Sequence, residues 1–297
     1  MFVAILLAYP VLQFVGTWLF INVGSLLMAF QRDVRGETVW TFDHFIKAVK
    51  VIFDAKNDSG IPGLNNTVVA ILNSLGYGFI TIFISLPLSL LFAYFLQKKM
   101  PFANVLRIIF FLPNIIPIVA LTMAYNMPLQ PSGYLYALLD KMGLAWDIYG
   151  KWPSSQVMVY VYCIWAGLGY NVVLLSGAIG RIPKELFESA ELDGAGYFVE
   201  FTKITIPLIW PTIVTLIVLG MTNVLTLYLH PYLLVGGREG VVDTIAMQIF
   251  QSVGGATYDR NAFAENAAKG LLFSVIWAPI VLLVRNRLSK KYSDVDF

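Results

Sequence analysis

Long apolar stretches alternate with short charged connections along this chain. Five of these stretches contain at least about 20 consecutive residues without Asp, Glu, Lys or Arg, the length that a helix needs to cross a bilayer. A sixth contains Glu265 and Lys269, which lie one helical turn apart and can pair as residues i and i+4. The pattern predicts six membrane-spanning helices at about 2–30, 66–96, 106–127, 154–180, 206–234 and 262–286.

The composition supports an all-α integral membrane protein that forms a single transmembrane domain over 1–297. Hydrophobic residues make up 58% of the 297 residues and charged residues only 13%, against about 25% in soluble domains. The net charge of +2 is too small to indicate nucleic-acid binding. The first apolar run has no basic residue before it and exceeds the core of a signal peptide, so we expect a retained span.

Positive charge is unevenly distributed among the connections, and this distribution predicts the orientation. The connections at 97–107 and 181–205 and the tail after 285 are dense in Lys and Arg. Short loops rich in Lys and Arg lie on the cytoplasmic side of a membrane. We therefore expect both termini and the 181–205 loop to be cytoplasmic. The opposite connections, at 32–62, 127–151 and 238–261, would be extracellular, and we expect a helix in the first of them.

The 181–205 loop is an unusually polar insertion between two apolar runs. Ile182, Leu186 and Ala190 repeat at four-residue spacing, which predicts a short amphipathic helix that begins near Pro183. A second short helix should follow the Gly-containing break at 193–196, with one apolar stripe formed by Phe198, Phe201 and Ile204. Such a pair of helices either lies flat against the membrane surface or projects to meet a partner protein.

One motif in this loop resembles a known family. Glu188-Ser189-Ala190, then Gly194, then Ile204-Thr205-Ile206-Pro207 are similar to the loop motif of permease subunits of binding-protein-dependent ABC importers, E-A-A, three residues, G, nine residues, I-x-L-P. Ser189 replaces the usual first Ala and Ile206 the usual Leu. Flanking residues, including Ile182-Pro183 and Asp193-Gly194-Ala195, resemble the maltose-type and oligosaccharide-type branch, and the resemblance covers about residues 65–290.

The resemblance implies that the loop between spans 4 and 5 is a coupling-helix region that docks on a cytoplasmic ATPase subunit. The residues implied in this coupling are Glu188, Ser189, Ala190, Asp193, Gly194 and Ala195. The expected partners are a second, non-identical permease subunit, two ATP-binding subunits and an extracellular solute-binding protein, in a bacterial or archaeal inner membrane. The expected function is inward transport of a sugar or oligosaccharide, with ATP and Mg held by the partners and no cofactor on this chain.

The sequence also argues against other classes of function. It contains no G-x-x-x-x-G-K-[ST] phosphate-binding loop, so ATP energy would have to come from another chain. The two histidines, His44 and His230, show no metal-ligand spacing, so we predict neither a metal site nor catalytic residues. A proton-driven transporter ordinarily needs titratable groups within its spans. A sodium-coupled carrier, which can use backbone carbonyls at broken helices, remains the alternative.

Polar and aromatic residues at the middle of two spans are candidates for the substrate path. Sugars bind to hydroxyl-matching polar groups and to aromatic faces in largely preformed cavities. In the fourth and fifth spans this chemistry makes Asn171 and Thr226 candidates. The translocation-site contacts of maltose-type permeases lie on the same two helices, and the resemblance implies Gly167, Tyr170, Gly220 and Asn223 as the aligned positions. Further candidates are Trp165, Asn73, Tyr77, Asn114 and Asn126. Hydrogen bonds between helices, worth about 0.6 kcal/mol each, would explain any single Asn equally well.

Overall fold

Helices form most of the chain in the computed structural model, which describes residues 2–53, 61, 64–98, 102–143, 152–235, 240–254 and 259–292. In chain order the α-helices are α1 Phe2–Gln13, α2 Phe20–Met28, α3 Asp43–Phe53, α4 Asn66–Ile80, α5 Leu86–Gln97, α6 Ala103–Ile115, α7 Ile118–Asn126, α8 Tyr134–Lys141, α9 Ser154–Ile179, α10 Lys184–Leu192, α11 Tyr197–Glu200, α12 Ile206–Leu208, α13 Trp210–Thr226, α14 Leu229–Val235, α15 Ile245–Gly254 and α16 Arg260–Ser289. A 3₁₀ turn at Met127–Leu129 follows α7.

Several of these helices are long and apolar enough to cross a membrane. Within the described residues there are four such helices, at Leu7–Met28, Asn66–Gln97, Ser154–Ile179 and Arg260–Ser289. Two bent pairs qualify when each is counted as one crossing, namely Ala103–Ile115 with Ile118–Lys141 at 105° and Tyr197–Leu208 with Trp210–Thr226 at 74°. The chain is thus a mostly helical membrane protein with four to six crossings.

Prolines explain both bends, which lie within the spans predicted at 106–127 and 206–234. Ile116 precedes Pro117, and a residue before proline avoids the helical region, as its φ of −75° and ψ of 135° show. At the second bend, Pro211 has no N–H to donate to the carbonyl of Pro207, so the helix is interrupted near Ile209. The bent pair that includes α13 ends at Thr226, well before the predicted end of this span at residue 234.

Two π-helical turns inside the helical crossings also lie just before prolines. Thr81–Ser85 joins α4 to α5 and ends two residues before Pro87, and Phe201–Thr205 joins α11 to α12 and ends two residues before Pro207. A third π-helical turn, Phe14–Leu19, joins α1 to α2. Proline removes an N–H and crowds the preceding turn, and a wider turn accommodates both effects.

The expected all-α fold is incomplete at residues 31–40, where the chain forms an antiparallel hairpin of β1 Gln31–Val34 and β2 Glu37–Trp40. Arg35 and Gly36 both have positive φ, 57° and 90°, as the central pair of a type I′ turn requires. This turn matches the right-handed twist of two strands. The helix that we expected in the 32–62 connection is α3.

The chain divides into two compact units. The smaller, Met1–Lys56 with Gln248–Ala278, contains the hairpin, and Asn261 holds β1 through two bonds to the backbone of Asp33, at 2.8 and 3.1 Å. In the same unit Glu265 accepts a 2.6 Å bond from Lys47 and lies 3.5 Å from Lys269, so the predicted i, i+4 pair forms.

The larger unit, Asn57–Met247 with Pro279–Phe297, contains two apolar clusters. The first comprises Leu86, Leu90, Ala93, Tyr94, Leu175, Ala178, Ile179, Ile182, Ile209, Ile213 and Leu216. The second comprises Tyr77, Leu121, Val159, Tyr162, Leu234 and Val242. Each cluster joins side chains that are far apart in sequence, so the clusters fix how the helices of this unit pack.

Candidate transport site

A cavity of about 450 Å³ lies within the larger unit. Its walls come from the Thr81–Ser85 turn, from the bend between α6 and α7, from the middle of α9 and from the end of α13 with the segment that follows. The lining residues are Thr81, Ser85, Pro113, Asn114, Ile116, Ile118, Leu121, Cys163, Ala166, Gly167, Tyr170, Asn171, Asn223, Leu227 and His230. The irregular turn and the bend are thus both used to line this space.

The cavity lies between the two apolar clusters along the helices that form it. On α9, the lining residues fall between Tyr162 of the second cluster and Leu175 of the first. On the α4–α5 helix, the π-helical turn falls between Tyr77 and Leu86 in the same order. The polar wall therefore occupies the middle of these helices, and closely packed apolar side chains lie towards both of their ends.

Four of the six predicted substrate-path residues line the cavity: Gly167, Tyr170, Asn171 and Asn223. The structure brings these together from α9 and α13. Gly220 packs instead against the α4–α5 helix, where an added Cβ would lie 3.0 Å from Ile82 Cγ1.

Thr226 also lies outside the lining. It is exposed, and its hydroxyl donates to the carbonyl of Thr222, one turn earlier on α13, at 3.2 Å. Gly220 and Thr226 lie outside the lining for the same reason. The side chains of a helix project in different directions, and of residues 220, 223 and 226 only Asn223 is on the face that meets the cavity.

A close approach of two helix backbones shapes one cavity wall. A Cβ on Gly169 would overlap the carbonyl of Phe110 on α6 and the side chain of Asn114. The glycine therefore lets α6 lie against α9, and the Asn114 amide donates to the carbonyl of Ala166 at 3.4 Å. Gly167 is different, because a Cβ there would meet only Ser85 Oγ, at an ordinary 3.6 Å.

Sequence reasoning missed four cavity-lining residues with polar or titratable side chains: Thr81, Ser85, Cys163 and His230. Cys163 lies on α9 and His230 on α14, and both line the cavity. His230 packs at 5.4 Å from the ring of Tyr162. For Thr81 and Ser85 the sequence did contain a signal, because Pro87 follows them closely. Irregular backbone near a proline is tolerated in a membrane span where it lines a cavity.

The remaining candidates are held in contacts between chain segments. Asn73 donates to the carbonyls of Val241 and Asp243 at 2.8 and 2.9 Å, and Asn126 donates to the carbonyl of Leu234 at 2.9 Å. Of the further candidates, Asn114 is the one that lines the cavity. The amides of Asn73 and Asn126 therefore serve packing.

The cavity wall mixes polar and apolar side chains and carries no formal charge. Among the described lining residues there is no Asp, Glu, Lys or Arg; the polar groups are three Asn amides, the hydroxyls of Thr81, Ser85 and Tyr170, one thiol and one imidazole. Such groups donate and accept hydrogen bonds without imposing a charge on a solute. No group of three or more His, Cys, Asp or Glu that could hold a metal ion occurs in the part of the chain that the structure describes.

The 181–205 loop forms a short helix that ends in a defined corner. α10 begins after Pro183, which lies just outside the helix, and ends at Leu192. The Ala195 N–H donates to the carbonyl of Ala190 at 2.9 Å, and the Gly194 N–H donates to that of Glu191 at 3.0 Å. With Gly194 at φ +78°, this is the Schellman ending of a helix, which favours glycine at that position.

The predicted coupling residues lie mostly on the surface of this loop. Glu188, Ser189, Asp193 and Gly194 are exposed, Ala195 is half-buried and Ala190 is buried. Three large apolar side chains are exposed beside them: Leu192, Tyr197 and Phe198, at 90%, 69% and 77%.

The expected apolar stripe of the second short helix is divided between solvent and core. Phe198 is exposed, whereas Phe201 packs 5.0 Å from the ring of Tyr94. Only Phe201 of these two rings therefore contributes to the packing between α5 and the loop.

Comparison with known proteins identifies the family. Residues 85–285, more than half of the chain, match the family of binding-protein-dependent transport system inner membrane components. The chain belongs to this family. The matched region includes the 181–205 loop and every cavity-lining residue except Thr81, and the resemblance to ABC importer permeases is confirmed.

Individual relatives agree with this family. The probable ABC transporter permease protein YurN of Bacillus subtilis is 29% identical over 211 residues, which cover 68% of this permease and 71% of YurN. The arabinooligosaccharides transport system permease protein AraP of Bacillus subtilis is 24% identical over 296 residues, or 95% of this permease and 85% of AraP. Both names describe transport subunits, so the sodium-coupled carrier and the membrane enzyme are not favoured.

A solved structure shows the same fold. A bacterial ABC transporter involved in the import of the acidic polysaccharide alginate has a chain that superposes with a TM-score of 0.79. The match covers 98% of this permease and 95% of that chain, at 22% identity.

Proposed function

We propose that this permease is one membrane-spanning half of an ABC importer that carries a sugar or oligosaccharide into the cell, driven by ATP hydrolysis on partner chains. The observation that supports it most is the uncharged cavity between two apolar clusters, which is lined in part by amide and hydroxyl side chains, in a chain of the binding-protein-dependent family. Its volume falls within the roughly 300–1,000 Å³ of cavities that hold small ligands. The substrate would pass along this wall, with Tyr170, Asn171 and Asn223 as contacts.

The chemistry of the wall favours an uncharged saccharide. Amide and hydroxyl groups match sugar hydroxyls, and the ring of Tyr170 offers a face on which a sugar ring can stack. Moving an uncompensated carboxylate or phosphate into such a site costs free energy, because no described lining residue supplies a cation. AraP is named for arabinooligosaccharides, a class that fits this wall, whereas the transporter of the similar fold imports an acidic polysaccharide.

The proposed topology has six crossings with both termini in the cytoplasm. It counts the four long helices and each bent pair as one crossing. Taken together, the 97–107 connection, the 181–205 loop and the tail are shorter than the opposite connections and denser in Lys and Arg, which is typical of the cytoplasmic face.

The 181–205 loop is proposed as the coupling helix that docks on an ATP-binding subunit. Exposed apolar side chains beside exposed carboxylates are typical of a surface that binds another protein. Leu192, Tyr197 and Phe198 supply the apolar contacts, and Glu188 and Asp193 supply the charges. The Schellman corner at Gly194 fixes the shape of the loop, so a movement of the docked partner would be transmitted to α9 and α13.

The proposed assembly contains four kinds of chain. A second, non-identical permease would complete the pathway, because one such half does not enclose an alternating passage. Two ATP-binding subunits would hold ATP and Mg, and an extracellular solute-binding protein would deliver the sugar. This chain itself would bind no cofactor and catalyse no reaction.

The test is transport by the purified complex in liposomes. ATP hydrolysis should rise several-fold when sugar-loaded binding protein is added, with sugar accumulating in the direction that corresponds to import. A panel of neutral oligosaccharides, uronic-acid oligosaccharides and sugar phosphates should show preference for the neutral ones. Accumulation that follows a sodium gradient and ignores ATP would overturn the proposal.

A further inference from the structure

A lysine, a glutamate and three aromatic rings join the end of the second crossing to the 181–205 loop. We call this group the Lys98 cluster; it consists of Lys98, Glu200, Tyr94, Phe187 and Tyr197. Lys98 follows directly after α5, and its ammonium nitrogen lies 2.5 Å from Glu200 Oε2 on α11. The side chain of Glu200 is 7% exposed, so its carboxylate is removed from solvent and depends on this partner.

The same ammonium group touches both short helices of the loop. It lies 5.3 Å from the ring centre of Phe187 on α10, 5.4 Å from that of Tyr197 on α11 and 5.7 Å from that of Tyr94 on α5. A cation within about 6 Å of an aromatic ring centre is attracted to the ring. One side chain therefore holds α5, α10 and α11 in a single arrangement.

Further bonds make the end of α5 part of this arrangement. The Tyr94 hydroxyl donates to the carbonyl of Tyr197 at 3.2 Å. The Gln97 amide donates to the carbonyl of Ser176 on α9 at 2.6 Å. The last turn of α5 is thus attached to the loop on one side and to the helix that leads into the loop on the other.

The connection matters because the α4–α5 helix is not next to the loop in the sequence. α9 precedes the loop and α13 follows it, whereas α5 contacts the loop through the side chains described above. The same helix contributes Thr81 and Ser85 to the cavity wall, about 20 to 26 Å from Lys98 at about 1.5 Å per residue.

We propose that Lys98 and Glu200 are positioning residues that make the second crossing move together with the 181–205 loop. Displacement of the loop by an ATP-binding subunit would then reach the cavity wall at Thr81 and Ser85 as well as α9 and α13. This inference rests on the proposed function. It adds a specific ion pair through which the ATPase cycle is coupled to the substrate cavity.

The first measurement is the amount of sugar transported per ATP hydrolysed by the whole complex in liposomes. Lys98→Met and Glu200→Gln should each lower this ratio about tenfold, within the range of effects measured for coupled pairs. The double variant should be no worse than the more impaired single one, because both substitutions remove the same contact. Lys98→Arg, which retains the charge, should keep a ratio close to that of the original chain.

A matched control comes from another ion pair of this chain. Lys47 donates to Glu265 at the similar distance of 2.6 Å, but the Lys47 side chain is 62% exposed and the pair lies outside the loop. Lys47→Met should leave the transport ratio unchanged.

The second measurement reads the cavity directly. Cys163 is the single cysteine of the chain and lines the cavity. Its rate of alkylation by a small maleimide should change in the original complex when ATP and vanadate are added. In Lys98→Met that change should be lost, while the ATP-binding subunits still co-purify and still hydrolyse ATP, a combination that a merely structural role would not produce.

Each outcome decides between the proposals. If the original complex transports but both variants keep its ratio and its Cys163 response, the coupling role is wrong and the importer function stands. If Lys98→Met releases the ATP-binding subunits, the cluster serves docking and the inference is overturned. If Lys98→Met does not accumulate in the membrane, Glu200→Gln with Lys98→Arg provides the same comparison. If the original complex shows no ATP-driven transport, the function and the inference fail together.

Discussion

The cavity and the 181–205 loop differ in how sequence produces them. The loop is built from consecutive residues, with a helix, a Gly194 corner and a second helix within about 25 positions, and its exposed charges lie beside exposed apolar side chains. The cavity collects single residues from several helices, and its wall carries no charge among the described lining residues. A local motif can therefore identify the first, whereas the second depends on how helices pack.

The two regions should also fail differently when they are altered. Changes in the loop should affect the conversion of ATP energy into transport, because the loop would contact the energy-supplying partner. Changes in the cavity wall should affect which solute binds and how tightly. Four substitutions test this division, in order of decreasing expected effect.

Reversing the charge of Glu188 should have the largest effect. In Glu188→Lys an exposed carboxylate of the proposed docking surface becomes a cation, and like-charge contacts across an interface cost several kcal/mol. Uptake of labelled sugar by cells should fall by roughly 30-fold or more at equal abundance in the membrane. Glu37→Lys, in the exposed hairpin, is the control. Full uptake by Glu188→Lys would remove the contrast between loop and cavity.

Gly169→Ala should have the second largest effect, a lower stability of the folded protein. The new Cβ would overlap the carbonyl of Phe110, and such overpacking costs about 1–3 kcal/mol. Thermal unfolding of the detergent-solubilised permease, followed by size-exclusion chromatography, should occur at a lower temperature. Gly167→Ala is the matched control, because its Cβ has 3.6 Å of room. Equal unfolding temperatures for the two variants would contradict the packing described here.

Asn171→Leu should weaken substrate binding and leave the coupling intact. Removing a polar group that pairs with a sugar hydroxyl costs about 1 kcal/mol or somewhat more. The sugar concentration for half-maximal transport by the complex should rise about five- to tenfold, with basal ATP hydrolysis unchanged. Thr226→Val, on an exposed residue outside the cavity, should not change that concentration. If Thr226→Val has the larger effect, the cavity is not the substrate path.

Gly194→Ala should have the smallest effect, and it should appear in the coupling. A residue other than glycine at φ +78° costs about 1 kcal/mol, which would loosen the corner between α10 and α11. The sugar transported per ATP should fall about two- to fivefold. Gly196→Ala is the control, since its φ is −75° and no atom lies within 4 Å of the added Cβ. Identical ratios for both variants would indicate that the corner does not transmit movement.

The sequence allowed much of the fold and part of the site to be predicted. The apolar runs identified the long helices, and the motif from Glu188 to Pro207 identified the family. The hairpin at 31–40 was missed because its signal is only a two-residue turn, Arg35-Gly36, between short polar strands. Prolines within apolar runs were visible, but their positions alone did not indicate how far Ile116 and Ile209 would bend the chain.

The cavity-lining residues likewise divide into those that local sequence predicted and those that depend on the folded structure. Tyr170 and Asn171 were predicted from polar chemistry at the middle of a span, whereas Thr81 and Ser85 line the cavity from a π-helical turn that was not predicted from the sequence. The pairing of Lys98 with Glu200 could not be predicted, because about a hundred residues separate them and either charge by itself is unremarkable in a connection.

Trp210, the first residue of α13, has a practical consequence for protein production. Its indole N–H donates to the carbonyl of Leu288 at 2.7 Å, and the ring of Tyr292 lies 5.3 Å from its own. Deleting the chain from residue 288 onwards would remove both partners from the start of α13. A purification tag placed so that residues 288–292 are kept is the better choice for isolating an intact complex.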